Sequence, residues 1–271
     1  SVSLTLNPSI WQNEKGFKKF LSYFYNQTSF LIDRKIERNS DNFNLNPFVS
    51  DESELLGLNS SFMNSFFFNR GKQHHSVTYT ILNSRTKNLL SIGSQENINF
   101  AHQVQYAHLL KKSWLFALSG KTFTTESISD NFPARNFDVF GYQIAPKVSY
   151  LFSKNTSLDV FFEMQNKENQ LGNSETLNQS RLGTSFTYAG ENKFTMNGEF
   201  SLYNNDFKGD ALSAVGFQML EGLQPGRNQT WRLLIQKNLT QYLDVNVNYQ
   251  GRKSETSDTI HTGSIQLRAY F

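Results

Sequence analysis

Hydrophobic and polar residues alternate with a period of two along most of this chain. Between Leu243 and Gln250, Leu243, Val245, Val247 and Tyr249 share one face, and Asp244, Asn246, Asn248 and Gln250 share the other. Such a stretch predicts a strand with one oily and one wet side. After a polar link at 251–258 the pattern resumes, with Ile265, Leu267, Ala269 and Phe271 opposite Ser264, Gln266, Arg268 and Tyr270. The same period is visible upstream. Leu58, Phe62, Phe66 and Phe68 align, as do Val77, Tyr79 and Ile81, and Trp114, Phe116 and Leu118. Leu158, Val160, Phe162 and Met164 oppose Asp159, Phe161, Glu163 and Gln165, and Trp231, Leu233 and Ile235 oppose Arg232, Leu234 and Gln236.

The links between these runs come in two lengths. Tight ones fall at 70–73, 111–113, 153–156, 189–193 and 238–241; longer polar ones fall near 39–53, 91–97, 126–136, 166–177, 204–228 and 251–258. Short turns at one rim and long loops at the other predict an all-β, antiparallel, up-and-down transmembrane β-barrel, with its short turns periplasmic and its long loops extracellular. A first spanning strand is expected from Phe17 to about Glu37 and about twelve strands between Phe17 and Phe271. Residues 1–16 read as a connecting segment or partial strand from an upstream region, in which Pro8 interrupts the alternation, and residues 17–271 as the barrel. If the first ten residues also span, the count turns odd and fourteen requires one more strand upstream. The start at Ser1, with no charged or apolar leader, favours a piece of a longer polypeptide.

Composition narrows the class. Of 271 residues only 38% are hydrophobic, and the mean hydropathy is −0.51. Spanning helices are therefore excluded, whereas spanning strands, half polar by construction, are not. The 25 Phe and 11 Tyr residues suit interfacial belts, with Trp114, Phe152, Tyr242 and Phe271 beside tight turns and Trp231 and Tyr142 nearer long loops. No Cys is present, so disulfides and thiolate metal sites are excluded, and a net charge of +3 gives no nucleic-acid footprint. The expected partners are outer-membrane lipid and other envelope proteins, and no cofactor is expected.

On the wet face, Asp159, Glu163, Glu199 and Asp244 mix with Lys121, Lys147, Arg181, Arg232 and Arg268. Mixed signs favour an internal salt-bridge network over an ion-selective constriction. Asp244 and Arg268 are expected to pair. His74 and Ser76 carry the two-residue spacing of a barrel phospholipase, but no acid is placed to orient the His, so no enzyme is expected. His102 and His108 lie six residues apart, too far to share a metal. The apolar run from Ala214 to Leu220 does not suit a loop exposed to water: it either folds over the barrel mouth or docks a partner through Val215, Phe217, Met219 and Leu220.

The closing hairpin, with Ile265, Leu267 and a terminal Phe271, resembles the carboxyl-terminal hairpin of bacterial outer-membrane barrels. The resemblance implies that the last strand carries the assembly signal and closes against the strand beginning near Phe17. More specifically, GFQMLEGLQPG (216–226), Trp231 and YQGRKSETSDTIHTGSIQLRAYF (249–271) are similar to the carboxyl-terminal barrel of large, poorly characterised outer-membrane proteins of the Bacteroidota. That resemblance implies the outer membrane of a Gram-negative bacterium and a modular anchor within an envelope assembly for protein insertion, secretion or surface export. A small-solute channel and a barrel hydrolase are the alternatives.

Overall fold

The computed structural model describes residues 1–36, 55–70, 74–90, 93–172, 175–190, 194–240 and 242–270. Its strands are β1 (Val2–Leu6), β2 (Phe24–Ile36), β3 (Leu55–Phe68), β4 (His75–Leu90), β5 (Gly93–Leu110), β6 (Trp114–Ser129), β7 (Phe137–Ser153), β8 (Thr156–Asn169), β9 (Thr176–Ala189), β10 (Thr195–Lys208), β11 (Gly226–Thr240), β12 (Leu243–Ser254) and β13 (Ile260–Ala269). Two short helices interrupt them, α1 (Phe17–Leu21) and α2 (Ala214–Leu220). The 13 strands form one sheet in sequence order, and every neighbouring pair is antiparallel. The fold is all-β and up-and-down, as the alternation predicts.

Register assigns the faces. Gln143 of β7 lies opposite Gln165 of β8, Gln165 opposite Gln179 of β9 and Gln179 opposite Asn205 of β10. This polar row is inner. The outer row carries Phe140, Ile144, Val148, Val160, Phe162, Met164, Leu182, Phe200 and Leu202, all exposed. The accessible surface is 18083 Å², against about 12,000 Å² for a compact globule of this mass. A single sheet with both faces open explains the excess. A sandwich would bury one face of each sheet against the other; here the buried hydrophobics among the described residues are Ala101, Ala117, Phe137, Val139, Leu177, Val215, Met219 and Leu220.

Several expectations change. The first long strand starts at Phe24, because Phe17–Leu21 coils into α1 after Gly16, which takes a positive φ of 66°. Three-residue spacing then brings Phe17 and Phe20 to one side, and the Phe20 ring meets those of Phe24 and Phe68 at 5.2 and 6.5 Å. Twelve long strands follow, β2 to β13, and Val2–Leu6 adds a thirteenth, short one by pairing with Asn26–Phe30. This corrects the expected seam. β2 is occupied on both edges, by β1 and β3, so β13 does not meet it. Among the described residues β13 pairs with β12 alone, and β1 and β13 are the sheet's two edges. Phe271 and the link expected at 39–53 lie outside the described residues. The link expected at 91–97 shrinks, because Leu90 pairs with Gly93 and the strands run almost to the turn.

Glycines sit under rings of neighbouring strands at three places. A Cβ on Gly141 would overlap the Phe123 ring, one on Gly183 the Phe161 ring, and one on Gly251 the Trp231 ring. Gly183→Val should therefore lower stability by about 1–3 kcal/mol through overpacking, read as a lower urea midpoint for the protein refolded in vesicles. Gly198→Val is the control, since a Cβ there meets only Leu233 at 4.0 Å and should shift the midpoint far less.

Candidate functional site

The loop between β10 and β11 does not stand clear of the sheet. Ser213 starts α2 by accepting the Gly216 N–H at 2.9 Å, and Glu221 ends it in a left-handed conformation with φ 55°. Val215, Met219 and Leu220 fall on one stripe, at four- and five-residue spacing. That stripe packs on Phe137, Val139 and Leu177 of the inner wall, with Phe207 and Ala211 at its margin. Gly216 is needed for this seat, because a Cβ there would run into the Asp210 carbonyl and Ala211. Three of the four residues considered for partner docking are thus consumed inside the mouth. Phe217 remains 67% exposed, and Leu212, just ahead of the helix, is 91% exposed.

Polar groups of the wall hold the loop in place. Lys167 of β8, its side chain only 5% exposed, donates to the Met219 carbonyl at 2.9 Å and to the Glu221 carboxylate at 2.6 Å. The ammonium faces the helix carboxyl end, where the macrodipole favours a cation. Gln179 donates to Asn205 at 2.9 Å, Asn205 to the Gln224 carbonyl at 3.0 Å, and Asn228 to the same carbonyl at 2.7 Å. Lys167 was missed in the sequence because 166–177 reads as a loop, while β8 continues to Asn169. The Ser213 cap and the Gly222 that follows Glu221 were the legible signal for the helix.

Below the cap, the charged residues sort into two groups. Arg181 lies 3.8 Å from Glu163 and 2.5 Å from Glu199. It also donates to Ser201 at 3.2 Å and lies over the Phe161 and Tyr203 rings. Lys147 pairs with Asp159 at 3.8 Å. Nearer the β13 edge Arg227 pairs with Glu255 at 3.8 Å at the loop rim, and below it Arg232 and Arg268 make no ion pair among the described residues. Arg232 is the register partner of Glu199, but that carboxylate is taken by Arg181. Asp244 and Arg268 are register partners too; no ion pair joins them, and Asp244 instead accepts from the Tyr270 hydroxyl at 3.1 Å. Arg232 and Arg252 line a cavity of about 430 Å³ with Glu199, Gln250 and Thr262. Arg268 and Asp244 line another of about 380 Å³. Lys121 of the inner face sits over the Phe123 ring at 4.9 Å.

The histidines are not brought together for chemistry. His74 lies in the turn ahead of β4, so it does not share a strand face with Ser76, and none of the described residues hydrogen-bonds its ring. His75 stacks on His108 at 5.5 Å; His102 bonds the Tyr79 hydroxyl at 2.7 Å and His261 that of Tyr249 at 2.8 Å, all on the outer face. No group of three or more His, Asp or Glu among the described residues could hold a metal ion.

No protein-family model matches the sequence, and no curated protein matches it. Solved structures do. The siderophore receptor PirA of Acinetobacter baumannii superposes with a TM-score of 0.53 and 9% identity, over 91% of this chain and 41% of the receptor. The chain has the fold of an outer-membrane β-barrel. It spans less than half the receptor's length. The NanC porin matches at a TM-score of 0.43 with 14% identity, over 79% of this chain and 97% of the porin. CdiB of Acinetobacter baumannii matches at 0.49 with 10% identity, over 92% of this chain and 51% of CdiB.

Two outcomes follow. Arg181→Met strands Glu163 and Glu199 on the inner face and should cost about 1–2 kcal/mol, after allowance for their partial exposure. Glu199→Gln, which leaves Arg181 the Glu163 partner, should cost less; urea midpoints of the two variants in vesicles check the order. At the loop rim, the Ser94 hydroxyl and N–H donate to the Asp130 carboxylate at 2.7 and 2.9 Å and hold its pKa below the ordinary carboxylate value. A lowered folded-state pKa means the contact stabilises fully above the ordinary value and is lost as pH falls through the lowered one. Exchange at the Ser94 amide should therefore accelerate on acidification beyond its intrinsic trend, and Asp130→Asn should abolish that excess.

Proposed function

We propose that this chain is a barrel of the Gram-negative outer membrane serving as anchor and scaffold subunit of a multi-protein envelope assembly, of the class that inserts, secretes or exports proteins. The membrane part rests on the open outer face, where Phe, Leu, Val and Met have no protein cover and only lipid removes them from water. The anchor part rests on one observation, the seating of α2 on the inner wall with Lys167 bound to its end. A helix pinned there stoppers that side of the mouth. The paired charges beneath it give no ring of one sign to select an ion. Leu212 and Phe217 project from the stopper as apolar contacts on which an envelope protein would dock. The carboxyl-terminal likeness to large Bacteroidota outer-membrane proteins agrees with this reading and suggests the taxon.

A small-solute channel is the second reading, favoured by Arg232 and Arg268, which make no ion pair among the described residues, beside the two cavities of the β10–β13 wall. Planar-bilayer recording separates the two. The anchor reading expects no long-lived open channel from the protein, and Met219→Asp, which expels α2 from its seat, should produce one. Steady conductance without that substitution would favour the channel. In mild detergent the anchor should co-purify with envelope proteins, and Leu212→Ser with Phe217→Ser should reduce their recovery several-fold.

A further inference from the structure

The two rims differ in charge. At the loop rim both signs occur: Asp130, Asp138, Glu168, Glu175, Asp206, Asp210 and Glu221 stand among Arg135, Lys208 and Arg227. The short-turn rim is different on its outer side. Lys15, Lys18 and Lys19 flank or form α1, Lys111 and Lys112 make the β5–β6 turn, and Lys154 sits in the β7–β8 turn, all exposed. Among the described residues the single outward acid at that level is Glu14; Asp159, Glu163, Glu199 and Asp244 face inward.

Two structural details bind this charge to the membrane surface. First, α1 lies on the outside of the sheet, because Phe20 meets the outward rings of Phe24 and Phe68. Phe17 is 72% exposed, and Ile10, ahead of the helix, is exposed as well. A short helix with exposed aromatics and adjacent lysines, at the level where the Trp114 and Tyr150 rings meet at 4.8 Å, is built to lie in an interface. Second, Lys111 and Lys112 have φ of 50° and 63°. Three residues link the register partners Leu110 and Trp114, and left-handed positions in so tight a turn favour Gly and Asn. Lysine stands there against its backbone preference, and none of the described residues forms an ion pair with it.

We propose that this cationic rim binds the anionic phospholipid headgroups of the leaflet that the short turns face. The inference rests on the membrane reading above. Each lysine held at an anionic surface strengthens binding by roughly fivefold, and salt screens the effect.

The test uses brominated lipids, which quench tryptophan on contact. In the full-length protein, Trp11→Phe and Trp231→Phe leave Trp114 as this chain's reporter, two residues past Lys112. The protein is reconstituted in vesicles containing brominated phosphatidylglycerol or brominated phosphatidylcholine. At low salt the relative affinity at Trp114 should favour phosphatidylglycerol by roughly fivefold or more. It should fall toward one in molar salt and with Lys18→Gln, Lys19→Gln, Lys111→Gln and Lys112→Gln combined. A ratio near one at low salt, or one that the four substitutions leave unchanged, overturns the proposal. So does capture of an acidic periplasmic protein by the rim with no lipid preference. Absence of quenching by either lipid overturns the membrane reading and this proposal with it, whereas equal quenching by both overturns this proposal alone.

Discussion

The structure depends on the antiparallel backbone ladder. Inside a bilayer no water can satisfy a peptide N–H or C=O, so each strand must find its partners in the next one. The unbroken order β1 to β13 supplies those partners, and the outer face can then be apolar without any protein core. This is why so few hydrophobic residues are buried in a chain so rich in Phe. The stabilising surface is on the outside, and hydrophobic contact is made with lipid.

Once the outside is given to lipid, the inside must hold itself together by polar contact. The wall from β7 to β10 does so through Arg181 with its two carboxylates, Lys147 with Asp159, and the Gln179–Asn205 bond. Among the described residues, the buried apolar cluster of the interior is where α2 meets Phe137, Val139 and Leu177. Apolar residues on an inner face are an exception to the alternation. Phe137, Val139 and Leu177 mark the place where a loop has turned inward.

Much of this was legible in the alternation. Leu158, Val160, Phe162 and Met164 on one face and Asp159, Glu163 and Gln165 on the other are found as read, and twelve long strands follow from the spacing of the turns. What was not legible depends on contacts distant in sequence. Val2–Leu6 reads as part of a connecting segment or partial strand, and only its pairing with β2 displaces the expected seam. Phe17–Leu21 has strand-like composition, but Gly16 and the contact of the Phe20 ring with those of Phe24 and Phe68 make it a helix. Lys167 lies in a stretch that looks like loop, and its role appears only when a helix about fifty residues later reaches it. Arg268 and Asp244 were placed opposite each other correctly, yet register alone does not decide which hydrogen bond a carboxylate takes.

The glycines under Phe123 and Phe161 carry a further consequence. Both pairs lie on the inner face, where bending a sheet forces side chains toward one another. A large ring laid across a bare backbone fills the space of two residues with one side chain, so the concave side loses bulk while the ladder keeps its spacing. On the outer side, where Trp231 covers Gly251, the same device shields peptide groups from lipid. Curvature in this sheet is therefore encoded as neighbouring large and absent side chains, a pattern that simple counts of polar and apolar positions do not register.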